Sequence, residues 1–204
     1  MEYSTEQELF WSGVFGDDYI LRNSSANKVV SNVVFFSKII SKIGPIKSVI
    51  EFGSNIGLNL KALRLLLPDI SLSAVEINNK AVSELQNFSN ITIYNTSILE
   101  KINSPKHDLS FVKGVLIHIN PESLALAYEN IYSSTNKYIL IAEYYNPTPV
   151  EIEYRGHKGK LFKRDFAGEM LRKYPDLKII DYGFVYHKDT FPLDDINWFL
   201  LEKV

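Results

Sequence analysis

Apolar and polar positions along this chain change period from block to block. Residues 26–43 place Val29, Val30, Val33, Val34, Ile39, Ile40 and Ile43 near a 3.6-residue repeat, the pattern of a helix with one buried face. Gly44-Pro45 stops it. KSVIEFGS then reads as a short buried strand closing on a glycine turn, and residues 57–67 as a helix halted before Pro68. The alternation continues with SLSAVEI (strand), NKAVSELQNF (helix) and ITIYNTS (strand). DLSFVKGVLIHI follows as a buried strand running into a turn, then PESLALAYENIYSST as a helix opened by Pro121, then NKYILIAEYYN as a strand. Strands alternating with helices predict an α/β fold of Rossmann-like kind, a mostly parallel sheet with helices on both faces. LKIIDYGFVYH and NWFLLEKV, two consecutive strands at the end, predict an antiparallel C-terminal edge. Residues 163–173 read as a helix between them and a Pro/Gly-containing insertion at about 147–162. At the other end, residues 3–22 read as a short helix and turn carrying Phe10, Trp11, Phe15 and Tyr19.

A length of 204 residues favours one domain. The expected organisation is an N-terminal lid segment at 1–25, then a single domain at 26–204 with a substrate-shaping insertion. Hydrophobic residues at 46% and charged residues at 23% mark globular rather than disordered material. With 22 basic against 24 acidic residues the formal charge is −2, which gives no broad attraction to nucleic acid or anionic lipid. The absence of cysteine excludes disulfides, thiolate metal sites and a cysteine nucleophile. The four histidines never fall at H-x-x-x-H spacing, and no metal is expected. MEYSTEQELFWSG lacks the basic start of a targeting segment, and VVSNVVFFSKIISKIG is broken by Asn32, Ser37, Lys38 and Lys42, so no membrane span is expected and the cytoplasm is the expected compartment.

The chemistry concentrates after the first strand, at Glu51-Phe52-Gly53-Ser54-Asn55-Ile56-Gly57. In open α/β sheets, ligands bind beyond the carboxyl ends of the strands, and glycine lets backbone approach them closely. Taken alone, Gly53 and Gly57 also suit a plain strand–helix turn. The next strand, however, ends in Glu76, where a carboxylate accepts the two hydroxyls of a ribose. Together these features point to an adenosine-type cofactor. A dinucleotide turn carries a middle glycine where Asn55 stands, and Glu51 would repel a pyrophosphate. An acidic strand end suits a cationic ligand instead, and S-adenosyl-L-methionine has that charge.

EFGSNIGLNL resembles the first motif of the class I S-adenosylmethionine-dependent methyltransferases, AVEIN their second, and DLSFVKGVLIHINPE their fourth-strand motif. Over most of the chain the sequence resembles the pseudaminic acid biosynthesis-associated methylases, through FWSGVFGDDYILRN, FVKGVLIHINP and AEYYNPTPVEIEYRGHKGKLFKRDFAGEML. Asn55 in place of glycine departs from the common class I pattern. The resemblance implies that Glu51, Gly53 and Gly57, with Ser54 and Asn55 in the same turn, hold the methionine end, and that Glu76, with Ile77 beside it, holds the ribose. Ser97 and Ile98 would flank the adenine, although Ile98 also reads as plain core. Lys113 and Gly114 would approach the cofactor from the fourth strand, with a capping charge as the other reading of Lys113. Tyr19 and Arg22, in the lid segment, would lie near the cofactor carboxylate; the other reading of that segment is an amphipathic helix packed on the sheet.

His118 has two readings: a general base at the sheet edge, or a core histidine bonded to backbone. Trp11, Tyr144, Tyr145 and Tyr154 are candidate acceptor contacts. Arg155 and His157, with Lys158, are candidates for clamping an anionic acceptor, or else form a solvated basic loop. The function expected is methyl transfer to a small-molecule acceptor; the family name points to an activated sugar or nonulosonic acid. The alternatives are a binding module without catalysis, and methylation of an amine or a nucleic acid. The net charge and the absence of an N-P-P-Y or D-P-P-Y string weigh against nucleic acid.

Overall fold

A computed structural model describes residues 3–23 and 25–204. Its frame is a seven-stranded sheet in the order β3-β2-β1-β4-β5-β9-β8, with strands β1 (Ser48–Phe52), β2 (Ser71–Glu76), β3 (Ile91–Asn95), β4 (His107–Lys113), β5 (Thr135–Glu143), β8 (Leu177–Val185) and β9 (Ile196–Lys203). The first five pair in parallel; β9 runs antiparallel between β5 and β8. The predicted mostly parallel sheet with an antiparallel C-terminal edge is the one observed.

Helices cover both faces, which is why the central strands read as unbroken apolar runs. α3 (Ala26–Ile40), α4 (Leu58–Leu66) and α5 (Asn79–Leu85) pack one face through Phe36, Ile39, Leu60, Leu63 and Leu85. α6 (Leu124–Ser133) and α7 (Phe166–Lys173) pack the other through Ala127, Ile131, Phe166 and Met170. The cores thus cover the middle of the sheet and leave its carboxyl edge for polar residues.

Two segments differ from expectation. Residues 3–22 form two helices, α1 (Glu6–Ser12) and α2 (Val14–Arg22), because Gly13 breaks the helix in extended backbone. Thr5 and Glu8 close a reciprocal capping box on α1. The 147–162 insertion is a β-hairpin, β6 (Val150–Tyr154) with β7 (His157–Lys163), outside the main sheet. Arg155 (φ 52°) and Gly156 (φ 84°) both take positive φ in its two-residue turn, the geometry that matches strand twist. Among the described residues no helix is long and apolar enough to cross a membrane.

Candidate active site

A cavity of about 220 Å³ opens at the carboxyl ends of β1 to β4, where the strand order reverses between β1 and β4. The turn after β1 forms its floor. Gly53 (φ 73°), Asn55 (φ 47°) and Gly57 (φ 75°) all take left-handed backbone, and the amides of Gly53 and Ser54 donate to the Val75 carbonyl at 2.8 and 3.1 Å. A β-carbon on Gly53 would lie 2.4 Å from the Val115 side chain, so glycine is required there on two counts. Asparagine tolerates the left-handed region, and the Asn55 amide donates to Glu76 Oε2 at 2.6 Å. The departure at Asn55 therefore preserves the turn.

Glu76 is buried at the end of β2 and also accepts from the Asn78 amide, at 2.8 Å. Burial pushes its pKa up, against the pull of those amides. A carboxylate has about four lone-pair sites, so it can still accept hydroxyls. Glu51 is fully buried; Oε1 accepts from Asn59 Nδ2 at 2.6 Å, and Oε2 has no partner among the described residues. Burial raises its pKa to about 8, opposed by Asn59 and Lys113. An unpaired buried carboxylate oxygen is an unmet demand for a donor.

Lys113 is half-buried, ends β4 and lines the cavity. Burial lowers its pKa, and Lys28 adds to that, while Glu51, Asp194 and Glu143 oppose it. Gly114 follows at φ 68°, and a β-carbon there would meet nothing within 4 Å: the turn opens onto free space. Glu143, at the end of β5, accepts from the Val115 and Leu116 amides, both at 2.9 Å, and so fixes the turn that carries His118. Burial pushes Glu143 up to about 7.

His118 lies in the cavity wall. Its Nδ1 is 2.6 Å from the Lys160 carbonyl, a contact in which Nδ1–H donates, and burial lowers its pKa to about 4. His118 is thus bonded to backbone and also lines the cavity. The Trp11 and Tyr154 rings stand 4.5 and 4.9 Å from it, and Trp11 packs edge-on against Tyr19 at 5.2 Å. Burial raises the Tyr19 phenol well above its ordinary value.

The sequence-predicted residues divide cleanly. Trp11, Tyr19, Gly53, Ser54, Asn55 and Glu76 line the cavity, as do Ile77, Ser97, Ile98, Lys113, Gly114 and His118. Glu51 and Gly57 lie beneath the lining; a β-carbon on Gly57 would sit 2.7 Å from Leu85. Arg22 is exposed, with its guanidinium 5.0 Å from the Phe15 ring. Tyr144 is half-buried under the Lys163 ammonium, and Tyr145 packs outward against Phe199. Arg155 sits at the exposed hairpin turn, and His157 packs on Phe10 and Phe15 rather than facing the cavity.

Sequence reasoning missed Gln7, Glu8, Lys28, Asn32, Asn59 and Asn78, and the Pro192-Leu193-Asp194 loop, all in the lining. Glu8 had a readable signal, the Thr5–Glu8 capping spacing; the others had none. Asn78 is a junction. Its Oδ1 accepts from the Ala81 amide to cap α5, and its Nδ2 donates to the Trp11 carbonyl at 3.2 Å and to Asp17 at 2.9 Å. Among the described residues no group of three or more His, Asp or Glu is arranged to hold a metal.

No family model matches the chain, and no curated protein matches it. Solved structures do. The 1,6-didemethyltoxoflavin-N1-methyltransferase of Burkholderia thailandensis, with bound 1,6-didemethyltoxoflavin and S-adenosylhomocysteine, superposes with a TM-score of 0.69 at 12% identity, over 97% of this chain and 87% of that one. Magnesium protoporphyrin IX methyltransferase of Synechocystis PCC 6803, with bound S-adenosylmethionine, gives 0.66 at 13% identity over all of both chains. An S-adenosylmethionine-dependent methyltransferase of Leishmania major gives 0.72 at 12% identity, over 97% and 81%. These likenesses, with the strand order and the antiparallel edge, show that the chain has the Rossmann-like fold of these structures.

Proposed function

We propose that this protein transfers a methyl group from S-adenosyl-L-methionine to a small-molecule acceptor. The observation that carries the reading is one cavity at the switch point, lined by the turn after β1, the acid ending β2, the turn after β3 and the open glycine after β4. The residues fit that cofactor. Glu51 would pair its free oxygen with the α-ammonium, Glu76 would accept the ribose hydroxyls, and Ser97 and Ile98 would bracket the adenine. Gly114 leaves room for the methionine end, and the Trp11 and Tyr19 rings suit a sulfonium by cation–π attraction. The cofactor supplies an electrophilic methyl carbon; the protein contributes positioning and exclusion of water. Of the segment at 1–25, residues 3–23 and 25 act as the lid, with Trp11 and Tyr19 as its inner face; residues 1, 2 and 24 lie outside the described residues.

The similar structures include enzymes described with toxoflavin-type and porphyrin substrates, which supports a small-molecule acceptor. The resemblance to the pseudaminic acid-associated methylases points further, to a hydroxyl of an activated sugar or nonulosonic acid. Isothermal calorimetry tests the cofactor: S-adenosylmethionine and S-adenosylhomocysteine should bind at micromolar affinity, about −7 to −8 kcal/mol, and NAD should not. Transfer of labelled methyl to components of a metabolite extract tests the reaction, and its absence would leave a binding module.

A further inference from the structure

We propose that Lys113, rather than His118, receives the proton of the acceptor's nucleophile. This rests on the methyltransferase reading above. Lys113 is the last residue of β4, at the point where the strand order reverses, which is where a switch-point ligand binds. It lines the cavity, and among the described residues it makes no hydrogen bond or ion pair.

Of the other groups that line the cavity and could take a proton, all but Asp194 are engaged. Glu76 holds two backbone amides, and Glu8 Oε2 accepts from the Ser4 and Thr5 amides and hydroxyls. Lys28 is bonded to Asn23. Asp194 stands exposed in the β8–β9 loop. His118 is tied to the Lys160 carbonyl, and an imidazole that burial holds near pKa 4 is a poor resting place for a proton.

The charges facing Lys113 from each packed element are Glu51 on β1, Lys28 on α3, Glu143 on β5 and Asp194 on the β8–β9 loop. Burial and Lys28 already favour the neutral amine, and a sulfonium beside it favours that form further. The step balances. The acceptor oxygen forms the new C–O bond with a lone pair as the C–S bond breaks. That bond's electron pair goes to sulfur, leaving a neutral thioether, and the O–H proton passes to the Lys113 amine.

The test uses Lys113→Arg and Lys113→Met in the full chain. Arginine keeps the charge but cannot deprotonate. Both variants should bind S-adenosylhomocysteine within a few-fold of wild type by calorimetry. Both should lose label transfer to a metabolite extract by about 10²–10⁴-fold. Lys113→Ala should regain transfer when methylamine is added, in proportion to the free amine. Lys113→Arg at wild-type turnover would show a charge rather than a base and overturn the proposal. So would a loss of S-adenosylhomocysteine binding in Lys113→Met that Lys113→Arg restores, which would make Lys113 a cofactor ligand. A wild-type protein that binds the cofactor yet labels nothing would remove the methyltransferase reading instead, and this inference with it.

Discussion

Glu51 and Glu76 end neighbouring strands, and both are buried, yet they are satisfied differently. Glu76 has two amide donors; Glu51 has one side-chain amide and a bare oxygen. Glu76→Gln should therefore weaken S-adenosylhomocysteine binding by about 1.5–3 kcal/mol, through lost charge-assisted bonds. Unchanged calorimetric affinity would remove Glu76 from the ribose site. Glu51 carries its proton in the folded protein up to about pH 8 but only to its ordinary 4.5 unfolded. A raised carboxyl adds stability that is complete at low pH and is lost as pH climbs through that window. The ligand-free Glu51→Gln variant, which cannot ionise, should gain melting temperature relative to wild type as pH rises from 5 to 8, a trend a flat difference would refute. His118 works the other way: held neutral down to about 4 against 6.5 unfolded, it makes the protein lose stability as pH falls through that interval. Turnover should show no step near pH 6–7 attributable to this imidazole. Both acids were legible because strand-end carboxylates follow from pattern alone. The bond from His118 to Lys160 was not, since its partner lies on a hairpin far along the chain.

At the scale of elements, α1 and α2 are held against the core by Gly16. A β-carbon there would lie 1.9 Å from the Trp11 carbonyl oxygen and 2.9 Å from Asn78 Nδ2. Gly16→Ala must push the two helices apart, and Trp11 and Tyr19 with them. It should weaken S-adenosylhomocysteine binding while leaving the far-ultraviolet spectrum nearly native; wild-type affinity would show that the helix pair is only packing. The aromatic cluster of these helices was visible in the sequence, but its partner was not. The β6–β7 hairpin supplies Tyr154 and His157 to the same cluster. β6 is largely exposed and β7 buries only the adjacent Lys160 and Leu161, so neither shows the buried alternation that marks a strand, and the segment's Pro and Gly content reads as loop. The basic residues expected to clamp an acceptor stand on the hairpin's outer side for the same reason: a two-residue turn puts Arg155 at the tip.

For the whole molecule, a ligand that binds only the folded state stabilises it by about 2.7 kcal/mol at a hundredfold excess over its Kd. S-adenosylhomocysteine should raise the melting temperature accordingly and NAD should leave it unchanged; equal shifts would defeat the choice of cofactor. The mostly parallel sheet and its antiparallel edge were legible because strands alternate with helices and the hydrophobic period switches cleanly at each boundary. The loop at 192–194 was not, because nothing in Pro192-Leu193-Asp194 signals that β9 returns between β5 and β8 and carries it to the cavity. The polar ties around the lid have a further consequence. Asn78 to Trp11 and Asp17, Lys80 to Asp17, Gln7 to Gly159 and Lys160 to Glu6 all fasten the N-terminal helices beside the cavity. On the proposed reading, a bound nucleoside would leave only when several of them open together. Release of that nucleoside would then answer to the latch at Asn78 as well as to the hydrogen bonds at Glu76.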